Sequence, residues 1–309
     1  MRSEKIAKLP DRGVVQVMGA DAAKLLQGLI TNDIASLETK PDELAFEAAS
    51  AHAGLLSPQG KILFDFFCVR TLDGFVLDVA ADKAADLAKR LTMYKLRASA
   101  EIKVVSQDYL VLALWGPNAC SSGPTRGTVA FRDPRSPELG FRILAEARFA
   151  VDIASATNGF KASSDDYHAH RIALGVPEGG KDYDFGDAYP HEADFDVFNG
   201  VSFTKGCYVG QEVVARMQNK TVVRKRIVKV SGAASLKSGA DILFGGVPIG
   251  KTGSVDGLAA LAMLRLDRAV EALDKGVPLT SIGVAVRVDP VALQNYRQSE
   301  VVRPAAPGF

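Results

Sequence analysis

The spacing of apolar positions predicts most of the chain's elements. Residues 14–17, three valines around Gln16, predict a strand. Asp21 is expected to cap a short helix with Leu25, Leu26 and Leu29 on one face. Residues 62–69 and 75–79 predict two strands joined around Asp73-Gly74, a hairpin signal. Residues 81–94 predict a helix with Leu87, Leu91 and Tyr94 at helical spacing, and residues 109–115 another strand. Residues 121–138, rich in Pro, Gly and Ser, read as a long surface connection. A second helix is predicted over 165–174. Ser163 is its cap, Asp165 and Asp166 lie in its first turn, and Gly175 and Pro177 end it. A third runs from about Gly210 to Met217.

After Thr221 the pattern changes. Residues 222–230, 242–244, 247–255, 258–266 and 283–288 read as short strands divided by Gly pairs and Asp-Gly, a pattern that a small barrel closes. Two domains follow: an α+β region over 1–217, and a β-barrel over 218–309 with a loose tail from Arg303.

Composition narrows the function classes. Lys plus Arg is 37 and Asp plus Glu 36, for a net charge of +1, so overall charge gives no argument for nucleic acid or an anionic membrane. No apolar stretch approaches the ~18 residues of a membrane span. The N-terminus shows charged residues and no apolar h-region, so a cytoplasmic setting is expected. Cys68, Cys120 and Cys207 are odd in number and far apart, which fits a reducing compartment. The four histidines have no partner at a metal-ligand spacing, and no metal is assigned.

Four features carry candidate chemistry. Residues 245–252 (GGVPIGKT) fit the phosphate-loop expression letter for letter. That loop needs a helix after it, but Gly253 and Gly257 follow, and Pro248 removes a backbone donor; the reading is a Gly-Gly hairpin. Asp65 stands in a strand apolar on both faces, where a carboxylate must be paired or hydrogen-bonded; it is either a satisfied core residue or a group held for proton chemistry or a nitrogen-rich ring. Cys207 follows Lys205 and precedes a helix start, both of which lower a thiol pKa; the alternative is a small packed residue. Residues 182–196 carry six acids, whereas 216–229 carry six bases, either pairing with each other or offering the basic strand to an anionic ligand.

The motif Lys205-Gly206-Cys207-Tyr208-x-Gly210-Gln211-Glu212 resembles the signature of the YgfZ folate-binding proteins, relatives of the glycine-cleavage aminomethyltransferase. Residues 26–33 (LQGLITND), 58–65 (PQGKILFD), 133–135, 139–142, 171–177 and 190–192 resemble further family segments in the expected order, so the likeness spans residues 14 to 290. It implies ferredoxin-like α+β parts around a central folate pocket, then a C-terminal β-barrel. It implies tetrahydrofolate or a one-carbon derivative as cofactor, with Asp65 near its one-carbon edge and Asn32, Arg142, Lys205, Tyr208 and Gln211 as further folate-site residues. Cys207 and Asp65 are the groups expected to carry chemistry. The implied role is an accessory factor for assembling or maintaining iron–sulfur enzymes, including those that modify tRNA. Its partners are transient iron–sulfur client proteins, without direct contact to nucleic acid or membrane. The alternative is a true aminomethyltransferase. Those enzymes usually carry a Glu, in Arg-x-Glu-Ala-Gly, where this chain has Ala173.

Overall fold

The computed structural model describes residues 4–37, 47–117, 119, 127–149 and 160–302. The chain forms two compact units. The first takes Met1–Ser57, Leu63–Tyr167 and Val197–Val209; the second takes Pro58–Ile62, His168–Asp196 and Gly210–Phe309.

The first unit holds two five-stranded sheets. Its strands are β1 (Lys5–Lys8), β2 (Arg12–Met18), β3 (Ser50–Leu56), β4 (Ile62–Thr71), β5 (Gly74–Ala80), β6 (Glu101–Val104), β7 (Tyr109–Trp115), β8 (Thr128–Arg132), β9 (Phe141–Glu146) and β10 (Phe160–Lys161). One sheet has the order β3-β4-β5-β2-β6, the other β10-β1-β7-β9-β8. In β4 both faces are buried, as the run over residues 62–69, apolar but for Asp65, leads one to expect. Helix α1 (Ala22–Gln27) and helix α2 (Ala84–Lys95) place Leu26, Leu87 and Leu91 in the core with Val15, Phe66 and Leu77. Asp21 precedes α1, but its carboxylate accepts from the Ser99 N–H at 2.7 Å and makes no cap bond.

The second unit is built on a closed barrel ordered β11-β14-β13-β12-β15-β16. The strands are β11 (Lys225–Gly232), β12 (Asp241–Phe244), β13 (Val247–Asp256), β14 (Ala259–Arg265), β15 (Leu279–Ser281) and β16 (Val284–Val288). Helix α3 (Ser164–Leu174) begins in the first unit and ends in this one. Ser163 caps it reciprocally: its hydroxyl accepts from the Asp166 N–H, and its own N–H donates to the Asp166 carboxylate. Helix α4 is Gln211–Lys220, starting after Gly210 at φ 83°.

The structure corrects two further sequence expectations. The stretch read as a connection at 121–138 contains β8, whose five residues depend on pairing with β9; residues 118 and 120–126, Cys120 among them, lie outside the described residues. The region after Thr221 is not all-β, because helices α5 (Leu266–Asp274) and α6 (Pro290–Val302) pack on the barrel. Leu266, Ala269 and Val270 at helical spacing carried that signal, and Pro290 stands at the first helical position, where its fixed φ suits a helix start. The tail from Arg303 is outside the described residues.

Candidate functional site

The site begins with Lys205, which is 7% exposed. Its Nζ donates to the carbonyl oxygens of Gln27, Ile30 and Asn32, each at 2.8 Å. Three such bonds need three hydrogens, so the group is an ammonium. Burial pulls its pKa down to about 8, and the charge of Asp33 pulls it back up. The carbonyls belong to the last residue of α1 and the turn after it, where chain oxygens lack helical partners and a cation is favoured. The side chain therefore turns inward, and its charge goes to these oxygens.

Further bonds lock the same turn to the segment 197–209. The Thr31 hydroxyl donates to Gly200 O at 2.6 Å, the Ser202 N–H to Thr31 O at 3.0 Å, and Asn32 Nδ2 to Asn199 O at 2.6 Å. Asn32 Nδ2 also donates to His52 O on β3 at 2.7 Å. Gln27 closes the turn from the other side, accepting from the Ile34 N–H and donating to Asp33. The Leu26–Asp33 motif and the Lys205 motif are thus one physical assembly. Two residues beyond its anchor, Cys207 is exposed. Gly206 has open space where a Cβ would stand. Tyr208 is buried, and burial raises its pKa to about 12, so it remains a phenol; among the described residues its hydroxyl takes no hydrogen bond.

Asp65 lies on β4 and is 7% exposed. Across from it electrostatically is His52, whose pKa falls to about 4 through burial and then the Arg135 charge, against the opposing pull of Asp65. His52 is therefore neutral at neutral pH, and its Nδ1 bonds Phe198 O at 3.0 Å. Arg142, 1% exposed, belongs to a buried network. It reaches Asp78 at 3.3 Å and the Tyr167 hydroxyl at 2.9 Å, while Asp78 also receives Arg12 Nε at 2.6 Å. Arg135 grips Asp133, holding that carboxyl below its usual range against the cost of burial. The guanidiniums of Arg12, Arg135 and Arg142 all lie within 5.8 Å of the Phe67 ring centre.

Gln211 is the first residue of α4 and sits in the second unit. In that unit Gly60, at φ 79°, presses against Val213 of α4, where a Cβ would come within 2.8 Å of the valine's own. Lys61 Nζ lies 3.6 Å over the Tyr189 ring. Arg171, fully buried, joins Asp182 at 2.7 Å, Glu178 at 3.3 Å and the Ser254 hydroxyl at 2.5 Å. The residues of the phosphate-loop expression form the β12–β13 hairpin, with Gly245 and Gly246 both at positive φ. Thr252 is buried, its hydroxyl donating to Lys237 O at 2.6 Å. The acidic and basic stretches pair with each other, Arg226 holding Asp194 at 2.7 Å and Asp196 at 2.8 Å.

Comparison with known proteins adds the family. Residues 224–293 match the family described as CAF17, C-terminal beta-barrel domain. The chain is 32% identical to the mitochondrial iron–sulfur cluster assembly factor IBA57 of Homo sapiens, over 83% of this chain and 76% of that one. The chain belongs to the IBA57 family. An IBA57 homolog of Mycosarcoma maydis is 38% identical over 74% of this chain and 57% of its own length, and the chain spans about half the length of the fungal relatives it matches. Among solved structures, aminomethyltransferase T of the glycine cleavage system from Bartonella henselae superposes with a TM-score of 0.74, covering 93% of this chain and 85% of that one at 17% identity. That likeness shows the fold, and the expected α+β region with a C-terminal barrel is the one found. YgfZ is a related family; membership in IBA57 is what the identities show. The expected cytoplasmic setting is overturned, because these IBA57 relatives are named mitochondrial.

Sequence reasoning did not single out Arg12, His52 or Asp78, and took Asp133 and Arg135 only as part of a family segment. Arg12, His52 and Asp78 stand on β2, β3 and β5 of one sheet, whereas Asp133 and Arg135 follow β8 of the other, so only the fold collects them.

Proposed function

We propose that this IBA57-family chain assembles or maintains iron–sulfur clusters on other proteins, with a reduced folate as ligand and Cys207 as its reactive group. The carrying observation is the Lys205 anchor, which fixes the two motifs together and leaves the next cysteine exposed. The names of the IBA57 relatives support the iron–sulfur role. Client enzymes that modify tRNA belong to the same proposal.

The donor set fits a folate in part. Asp65, a buried carboxylate that also has partners within the protein, is the proposed acceptor for the ring N–H groups of a pterin, since a carboxylate has several acceptor sites; Tyr208 offers a phenol O–H that protein atoms leave available. Asn32 and Lys205 direct their N–H groups to backbone oxygens and Arg142 joins a buried network, so their proposed part is to shape the site. When bound, a reduced folate supplies a carrier for a one-carbon group. Ala173, exposed on α3, stands where aminomethyl transfer would call for a Glu, which disfavours that alternative.

The test is a titration of the full chain with tetrahydrofolate and its one-carbon derivatives, with glycine-cleavage activity assayed alongside. Saturable folate binding that weakens at least tenfold in Asp65→Asn, without glycine-cleavage activity, is the expected result. Full affinity in Asp65→Asn reduces Asp65 to a satisfied core residue. Restoration of iron–sulfur enzyme activity in cells lacking the protein, lost with Cys207→Ala, tests the cluster role.

A further inference from the structure

Helix α2 ends in a turn that its sequence does not favour. Ala98 N–H donates to Lys95 O at 2.8 Å, closing a four-residue turn whose first central residue is Leu96 at φ 48° and ψ −109°. That is the backbone of the first central position of a type II′ turn, where glycine is the usual residue because a Cβ is crowded there. The leucine gains no burial in exchange, being 87% exposed, and Met93 one turn earlier is 62% exposed. The turn is held firmly. Asp21 N–H donates to Ser99 O, and the Asp21 carboxylate accepts from the Ser99 N–H. Gly19 lies so close that a Cβ would stand 2.5 Å from Ser99 O. Leu72, 51% exposed, sits at the same end of the sheet, because Gly74 pairs with Met18 and Met18 with Glu101.

Charge surrounds these apolar groups. Lys89, Arg90, Lys95 and Arg97 fall within nine residues, and none has an ion pair or side-chain hydrogen bond among the described residues. The nearby acids offset them little. Glu101 pairs with Lys103 at 2.7 Å, Asp21 is committed to Ser99, and Asp73 and Asp86 are single carboxylates. A helix C-terminus favours cations, which accounts for Lys95 and Arg97. It accounts neither for Lys89 and Arg90 nor for an exposed leucine in a glycine's conformation. Strain retained without a packing gain points to function.

We propose that the C-terminal end of α2 is a docking surface for an acidic protein partner, with Leu96 as the apolar knob entering a pocket ringed by carboxylates. The four unpaired cations give the sign of the partner's charge. The pinned turn favours a shaped protein surface over a bilayer, since a fluid membrane needs no fixed knob. This rests on the proposed role in serving other proteins and names a second surface for it, apart from Cys207.

The experiment places a photo-crosslinking residue at position 96 of the full chain in cells, then purifies the protein captured. Binding of that purified protein is measured against wild type, Leu96→Gly and Arg90→Glu/Arg97→Glu. The expected partner has a net negative charge, its affinity falls with added salt, and both variants bind at least tenfold more weakly. Leu96→Gly is expected to keep or raise the thermal midpoint, because glycine suits that turn; this separates lost docking from lost folding. Absence of an adduct, or equal affinity in all three proteins, overturns the proposal. So does loss of binding in the variants only to vesicles of phosphatidylserine and phosphatidylcholine, or only to RNA, since the surface then serves a different class of partner. If wild type fails to restore iron–sulfur enzymes in cells yet binds the captured acidic protein as described, the functional proposal fails and the docking surface stands.

Discussion

Lys205→Met removes the ammonium and keeps most of the side chain's volume. Three carbonyl oxygens, of Gln27, Ile30 and Asn32, then lose their donor in a place water reaches poorly. A hydrogen bond involving a charged group contributes ~1.5 kcal/mol at the lower end, and three give ~4–5 kcal/mol. Relief from burying the ammonium offsets part of this, the same cost that pulls its pKa to about 8. The expected net loss is ~3 kcal/mol, a large fraction of the ~5–15 kcal/mol typical of a domain. Urea unfolding followed by fluorescence measures it, because Trp115 is the only tryptophan and lies buried in the first unit against Tyr167. A second readout is alkylation of Cys207, scored on its own peptide. Freeing the segment from the 27–32 turn is expected to change the rate several-fold while Cys68, buried on β4, stays unlabelled. A loss below ~1 kcal/mol together with an unchanged Cys207 rate refutes the anchor.

Acid is expected to weaken the first unit through His52. Its folded pKa, about 4, lies below its ordinary 6.5, so the unfolded chain binds an extra proton between those values; the contribution is intact above pH 6.5 and lost as pH falls to 4. At ~1.4 kcal/mol per tenfold change in proton activity, the loss is about 3 kcal/mol; urea midpoints across this range measure it, and His52→Gln is expected to flatten the slope. In the second unit, Arg171→Met leaves Asp182 and Glu178 buried with no guanidinium and is expected to cost ~3–5 kcal/mol by calorimetry; a loss under ~1 kcal/mol would contradict the buried-network account. Lys251→Ala, on the exposed side of the β13 hairpin, is expected to leave stability and cellular activity unchanged. Saturable ATP binding abolished by that change would restore the phosphate-loop reading.

The sequence by itself determined the local order of much of this protein. Apolar runs marked β2, β4, β5 and β7, because each is buried on a sheet and the period of two or the unbroken run states that directly. Ser163 and Asp166 announced the start of α3, and Gly245-Gly246 announced a hairpin, because those backbones need particular side chains or none. The Lys205–Glu212 and Leu26–Asp33 motifs were visible as residues, yet nothing in either said that one holds the other. That fact is a contact across more than 170 positions of chain, and only tertiary structure makes it. The same holds for β8, whose five residues depend on β9 for their hydrogen bonds, and for α5 and α6, whose apolar stripes gain meaning against the barrel. Sequence spacing put Lys205 beside Cys207; folding decided that its charge goes to three carbonyl oxygens, because a buried ammonium must satisfy all its hydrogens and the helix end offered the acceptors.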